Sequence, residues 1–417
     1  RLQPPLIDEA KRDYPDVNIV LGPFDSDFLC TFDRLIVSPG ISLNDPALIG
    51  AKECGVELIG DLELFLQQAE APVIAITGSN GKSTVTSLLG QMASDSGLSV
   101  GVGGNLGIPM LDLLDHSRQL YVLELSSFQL ELLNDSRGAI VALLNISSDH
   151  LDRYEGLQAY HAAKHRIFRG AGKVVINRDD RLTRPLLSTQ IKMTSFGLGQ
   201  PDLGDFGVAE GVEEGYLAYG IERLMPISDL VLKGKHNIAN ALAALALGYS
   251  ADLPMNSMLE SLKKFKGLPH RCQTINEING VFYIDDSKAT NVGATVAALQ
   301  GLGKSYKKNL ILIAGGQAKG QDFSDLSKHI SEYVKMTILI GEDRDQIERI
   351  LEGDNHKIAT TMDRAVKEAS LVASHGDIVL LSPACASFDM FDGFEHRGRC
   401  FQEAVSALIA ENDGGCP

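Results

Sequence analysis

Short apolar runs rich in β-branched residues punctuate this chain and predict its strands. Val73–Thr77 (VIAIT), Leu120–Leu125 (LYVLEL), Ala139–Asn145 (AIVALLN) and Lys173–Asn177 (KVVIN) form one series. Val281–Asp285, Asn309–Ala314, Met336–Ile340 and Ile378–Leu381 form a second. Runs that are apolar at successive positions, rather than at alternate ones, suit parallel strands covered on both faces. Between them the spacing predicts helices over Ser83–Ser96, Leu157–Phe168, Ile238–Leu247, Met362–Ala373 and Glu395–Ile409. Strands alternating with helices predict an α/β fold with crossover connections. Breaks at Glu70–Ala71–Pro72 and Gly267–Leu268–Pro269 divide the chain into 1–70, 71–267 and 268–417. The Gly-rich, acidic segment Gly199–Gly220 reads as a surface loop or hairpin of the middle part.

Composition agrees with a soluble globular protein: 417 residues, 44% hydrophobic and 22% charged. At roughly 100–200 residues per domain, the length allows two to four domains. The net charge of −16 argues against nucleic acid as a partner, which needs a basic face, but leaves room for a local basic pocket. Cys30, Cys54, Cys272, Cys385, Cys400 and Cys416 are scattered without a C-x-x-C pair. That excludes a zinc ribbon or disulfide framework and suits unpaired thiols in a reducing cytoplasm. The uncharged stretch Ser96–Leu111 is Gly-rich and broken by Asn and Pro. It falls short of the roughly 20 apolar residues a membrane helix needs, so no membrane insertion is expected.

The strongest chemical signal is Val73–Thr84, VIAITGSNGKST: a strand, a Gly-rich turn, then a helix. Gly78 and Gly81 let successive N–H groups turn toward one phosphate, and the helix N-terminus adds its dipole. Lys82 can neutralise β/γ charge and the Ser83 hydroxyl can ligate Mg²⁺. Ile76 stands where the longer form of this motif has its first glycine, so this is the shorter G-x-x-G-K-[ST] form. ATP or GTP binding follows. A neighbouring strand in such folds ends in an acid that supports the metal, which nominates Glu124. Asp149, His150 and Asp152 in ISSDHLD lie at the end of the next strand, where α/β sites form. Lys164, in YHAAKHRIF, reads from spacing alone as a snorkelling lysine.

Three loops follow strands in the last part: DDSKATN at 285–291, AGGQAKG at 314–320 and SPACAS at 382–387. Thr290 or Asn291 can cap a helix. Lys288, Lys319 and the hydroxyls suit a small anionic substrate such as a dicarboxylate, although each loop alone would be an ordinary turn.

Taken together, TGSNGKST, LELSSFQL, SSDHLDRY, AAKHRIF, KGKHNIANALAALAL, GLPHR, DDSKATN and LSPACASFDMF…FEHRG, in that order, resemble the Mur ligases over nearly the whole chain. The last block resembles the D-glutamate-adding members. The resemblance implies three domains: a partial Rossmann-like N-terminal domain, a central P-loop ATPase domain with a mostly parallel sheet, and a C-terminal Rossmann-like domain. It implies a cytoplasmic, monomeric, ATP-dependent carboxylate–amine ligase acting on UDP-N-acetylmuramoyl-L-alanine and D-glutamate through an acyl phosphate. Another Mur-type or a folylpolyglutamate-type ligase is the alternative. A switch-like ATPase would leave the C-terminal loops unexplained, and a purely binding protein would not need the Lys82, Glu124 and His150 set.

Carried over residue by residue, the resemblance assigns Gly78, Ser79, Asn80, Gly81, Lys82, Ser83 and Thr84 to the phosphates. Asn240, Arg271 and Asp286 also go to the nucleotide. Ser83 and Glu124 would hold one Mg²⁺, and His150 and Lys164 a second, with Lys164 carbamylated. Lys82, Glu124, His150 and Lys164 form the implied catalytic set. Arg1, Gly40 and Asn105 fall to the UDP-substrate. Lys288, Thr290, Lys319, Ser387 and Phe394 fall to D-glutamate. The family's opening Gly-rich turn is not seen, and Arg1 resembles the arginine of a motif that follows it. A unit of about 30 residues is therefore expected ahead of Arg1.

Overall fold

The computed structural model describes residues 4 and 6–413, apart from 151–152, 186–190, 213, 233, 304–307 and 352. Arg1, Asp152 and Cys416 lie outside the described residues. The middle part is built on a nine-stranded sheet. From one edge its strands are Glu222–Pro226, Tyr216–Tyr219, Phe206–Ala209, Lys192–Phe196, Lys173–Asn177, Ile140–Leu143, Val73–Thr77, Leu120–Glu124 and Val100–Gly104. Pairing is parallel from Phe206–Ala209 onward and antiparallel at the hairpin edge. Val73–Thr77 is buried at every position, as a strand flanked on both sides and covered on both faces must be. One face packs under helices Lys82–Asp95, Lys235–Ser250 and Met255–Lys264. The other packs under Asp61–Gln68 and Leu157–His165, through Leu62, Phe65 and Tyr160.

The C-terminal part has a six-stranded sheet in the order Gln273–Ile278, Val281–Asp285, Ile378–Leu381, Leu310–Gly315, Val334–Ile340, His356–Ile358. Only the first pair is antiparallel. Helices Val292–Leu302 and Ser324–Tyr333 cover one face, and Met362–Val372 and Phe394–Asp413 the other. Val281–Asp285, Ile378–Leu381 and Leu310–Gly315 are neighbours in this sheet, so the three loops read as candidates leave it side by side. The N-terminal part pairs Arg34–Ile36 with Glu57–Ile59 in parallel. It meets the middle part through Val37 and Leu48 against Leu132.

Three departures from the sequence reading have physical causes. Segment 199–220 is a hairpin, but not a superficial one: Phe206, Val208 and Leu217 are buried in the main core. Val100–Gly104 (VGVGG) is a strand although its glycines argue against one. At Gly101 a Cβ would stand 2.7 Å from the Tyr121 ring, so close packing, not propensity, sets the residue. Cys30 and Cys54 form a disulfide, with Cα atoms 5.8 Å apart, where unpaired thiols were expected. They cap the C-terminal ends of helices Ser26–Leu29 and Pro46–Glu53, and only tertiary packing brings those ends together. Cys272, Cys385 and Cys400 are free. No described helix is long and apolar enough to cross a membrane.

Candidate active site

The turn after Val73–Thr77 is forced by glycine: Gly78 has φ 157° and Gly81 has φ 82°, conformations with little cost only where there is no Cβ. A Cβ on Gly81 would also strike the Asn240 carboxamide. The loop is pinned from below. Asn80 N–H donates to Asn145 Oδ1 at 2.8 Å, and Ser79 Oγ lies 3.1 Å from the Tyr160 hydroxyl. Lys82 folds back to donate to the carbonyls of Gly78 and Ser79, both at 2.9 Å. Burial lowers its pKa, while Glu124 and Asp149 pull it back up.

Glu124 ends its strand only 2% exposed. Its Oε1 accepts from Asn105 Nδ2 at 2.7 Å, and its Oε2 has no hydrogen-bond partner. A buried carboxylate oxygen left bare is costly unless something positive is meant to meet it. That orphan is the observation by which the residues fit Mg²⁺. Ser83 is buried and accepts from Arg271 Nη2 at 2.6 Å, which leaves the hydroxyl a second lone pair. His150 lies beside Asp149 (3.7 Å) and against the Phe128 ring. Among the described residues no cluster of three His, Cys, Asp or Glu forms a preassembled metal cage. A nucleotide–Mg²⁺ site does not need one, because phosphates and waters complete the shell.

Lys164 is 1% exposed. Its Nζ donates to Gly78 O at 2.9 Å and Thr77 Oγ1 at 3.2 Å and lies 4.8 Å from the Tyr160 ring centre. It is not the snorkelling surface residue that spacing suggests. Burial, and secondarily Lys82, hold its pKa well below the lysine range.

Two cavities meet over this loop. The first, about 310 Å³, is lined by Asn80, Gly81, Thr84, Asn240, Arg271 and Asp286. Burial pushes Asp286 up to about 7, against the N–H of Cys272 and the hydroxyl of Ser382 that it accepts from. The second, about 430 Å³, gathers Lys82, Ser83, Asn105, Glu124, His150 and Lys164 from the middle part. Lys288, Thr290, Lys319, Ser387 and Phe394 face them from the C-terminal part. Lys288 Nζ stands 3.8 Å from the centre of the Phe394 ring, and burial, then Arg271 and Lys82, lowers its pKa to about 8. Arg271–Ser83, Asn291–Asp149 (3.1 Å) and Asn291–Asn80 (3.3 Å) tie the two parts together. Asn291, not Thr290, caps its helix by accepting from Ala294 N. Gly40 is exposed on the N-terminal part and lines neither cavity.

Comparison with known proteins shows the family. Residues 1–60 match the family model for the Mur ligase MurD-like N-terminal domain, 76–248 the Mur ligase middle domain, and 270–385 the Mur ligase glutamate ligase domain. A UDP-N-acetylmuramoylalanine--D-glutamate ligase of Pseudomonas savastanoi pv. phaseolicola is 53% identical over 98% of this chain and 91% of its own length. The chain belongs to the Mur ligase family. Relatives of the same name from Pseudomonas aeruginosa and Marinobacter nauticus are 50% and 47% identical, again over 98% of this chain and 91–92% of theirs. Solved structures share the fold at lower identity. A pseudomurein peptide ligase type C from Methanothermus fervidus has TM-score 0.64 at 20% identity, covering 98% of this chain and 93% of its own. MurF ligase from Thermotoga maritima in complex with ADP has TM-score 0.62 at 17%, covering 91% and 99%.

Arg397 of this Mur ligase stands outside the set of residues that the sequence motifs nominate. It is fully buried and donates to Ser287 O (2.8 Å), Ser287 Oγ (3.0 Å), Cys385 O (3.1 Å) and Ala386 O (3.3 Å). It therefore ties the loops carrying Lys288 and Ser387 to each other. The FEHRG block held the signal, since an arginine in the first turn of an apolar-faced helix is a candidate buried donor. Tyr160 and His236, which line the two cavities, had no comparable signal.

Proposed function

We propose that this Mur ligase joins D-glutamate to UDP-N-acetylmuramoyl-L-alanine at the expense of ATP, in the building of peptidoglycan precursors. The observation that carries the reading is one cavity where a phosphate loop and a bare buried carboxylate face two lysines and two hydroxyls from neighbouring strand ends. The first cavity suits the nucleoside, with its phosphates passing over Gly78–Thr84. A substrate carboxylate oxygen then bonds to the γ-phosphorus as the bond to ADP breaks, giving an acyl phosphate. The D-glutamate amine next attacks the acyl carbon, loses its proton and expels phosphate, leaving an amide. The protein contributes positioning and charge. Lys82 and Arg271 meet the phosphoryl charge. Lys288 and Lys319, with Thr290 and Ser387, read the two carboxylates of the amino acid.

Ser83 with Glu124, and His150 with Lys164, are the residues that would hold Mg²⁺. The chemistry the metal supplies when bound is neutralisation of phosphoryl charge. Lys164 joins such a set only after its amine adds CO₂: an N–C bond forms, a proton leaves, and a cation that repels Mg²⁺ becomes a hard oxygen donor. Its lowered pKa supports that step, which needs the free amine.

ADP release with UDP-N-acetylmuramoyl-L-alanine, measured against a panel of amino acids, tests the proposal. D-glutamate is expected to stand alone among them. Turnover with L-glutamate or a diamino acid in its place would overturn it.

A further inference from the structure

We propose that Arg153 is a positioning residue that registers the N-terminal loop 38–41 on the acyl-transfer centre at His150. The inference rests on the reading that one long substrate reaches from the N-terminal part to the second cavity.

The geometry builds outward from His150. That residue sits in the left-handed region at φ 55°, and its carbonyl accepts from the N–H groups of Arg153 (3.0 Å) and Tyr154 (3.1 Å). Those two bonds tie the backbone at Arg153 to His150. Its guanidinium reaches across to the N-terminal part, where Nη1 donates to Pro39 O at 3.0 Å and Nη2 to Ile41 O at 2.9 Å. Nη2 also meets Glu131 Oε2 at 3.0 Å, and Glu131 Oε1 accepts from the Tyr154 hydroxyl at 2.6 Å. The guanidinium carbon lies 4.2 Å from the centre of the Phe128 ring, whose edge packs on His150 with centroids 4.9 Å apart. One side chain thus touches both carbonyls that bracket Gly40 and the aromatic ring that seats His150. Only a planar fork can bond two carbonyls and a carboxylate while stacking on a ring; an ammonium on the same stem cannot.

A substrate held near Gly40 and reacting beside His150 and Glu124 needs the distance between those points fixed. A small misplacement far from the reacting atoms is enough to cost on the order of 100-fold in rate. ATP and D-glutamate do not span that gap, so their binding is left unchanged.

The test compares the wild-type protein with Arg153→Lys, Arg153→Met and the milder Glu131→Gln. Steady-state constants are measured for each substrate, and hydrogen exchange at the amides of Ser38, Gly40 and Ile41 is measured without substrate. Expected for Arg153→Lys and Arg153→Met is a fall in kcat/KM for UDP-N-acetylmuramoyl-L-alanine on the order of 10–100-fold. KM for ATP and D-glutamate should stay within about twofold, and exchange at 38–41 should quicken. Lysine should fail to rescue, and Glu131→Gln should show the same selectivity at smaller size. Equal rises in KM for all three substrates, rescue by lysine, or unchanged exchange at 38–41 would overturn the proposal. The exchange measurement uses no substrate, so a failure of the D-glutamate reading would not be mistaken for a failure of this one.

Discussion

Lys288 offers a perturbation whose size can be worked from its surroundings. Burial, Arg271 and Lys82 bring its pKa to about 8 from the ordinary 10.5. Above that pH it loses the charge that would hold a carboxylate. In the protein without nucleotide it is about 90% charged at pH 7, half at pH 8 and about 10% at pH 9. Bound phosphates favour the charged form, so in the working complex the break lies above 8. Arginine at this position stays charged throughout and can still stack on Phe394. The assay is kcat/KM for D-glutamate from pH 7 to 10 in the wild type and Lys288→Arg; that constant reports groups on the enzyme form that meets the substrate. Titration of the substrate amine is common to both proteins and cancels in their ratio. The wild-type value should fall relative to the variant by about tenfold per pH unit beyond the break. Lys288→Ala, which removes a charged hydrogen bond of about 1.5–3 kcal/mol, should lose about 10- to 150-fold at pH 7.5. Parallel profiles up to pH 10, or an alanine variant with unchanged KM for D-glutamate, would refute the reasoning.

Lys82→Ala should reduce acyl phosphate formation on the order of 10³-fold, read as ADP release dependent on the UDP-substrate; a variant that retains that release contradicts the role. Lys164 should carry one CO₂ in crystals grown with nucleotide, Mg²⁺ and bicarbonate, and a bare amine in the density at Nζ would count against the carbamate. Gly81→Ala forces a left-handed alanine, costing about 1–2 kcal/mol, and drives its Cβ onto Asn240; nucleotide affinity measured by calorimetry should drop while D-glutamate loops stay folded. Arg397→Met strands the carbonyls of Ser287 and Cys385 and should cost about 2 kcal/mol or more, seen as a lower denaturant midpoint for the C-terminal part.

The parts of the fold legible in the chain were inner strands, paired on both sides, where apolar β-branched residues run together. Val73–Thr77, Lys173–Asn177, Val281–Asp285 and Ile378–Leu381 carry the boundaries their apolar runs suggest. The edge strands escaped because they need less: Gln273–Ile278 is exposed or half-buried along its length, and Val100–Gly104 is shaped by what approaches its glycines. The phosphate loop was legible because its chemistry is local, with the glycines, the lysine and the helix start consecutive. Lys164 was not, since its burial is a property of helix Leu157–His165 lying under the loop. Nor was the Arg271–Ser83 bond, which spans 188 positions. Three loops that spacing could only collect as turns became one wall because their strands are adjacent in the sheet. Pairing order is set by topology and leaves no mark on any one loop.

The account stands most directly on the fate of the substrate carboxylate. UDP-N-acetylmuramoyl-L-alanine labelled with heavy oxygen in its alanyl carboxylate, incubated with ATP, Mg²⁺ and D-glutamate, gives products that mass spectrometry can read together. The account predicts a product heavier by one glutamyl residue, and one heavy oxygen in each phosphate released. Phosphate free of the label, or ADP formed without a glutamyl product, would contradict it.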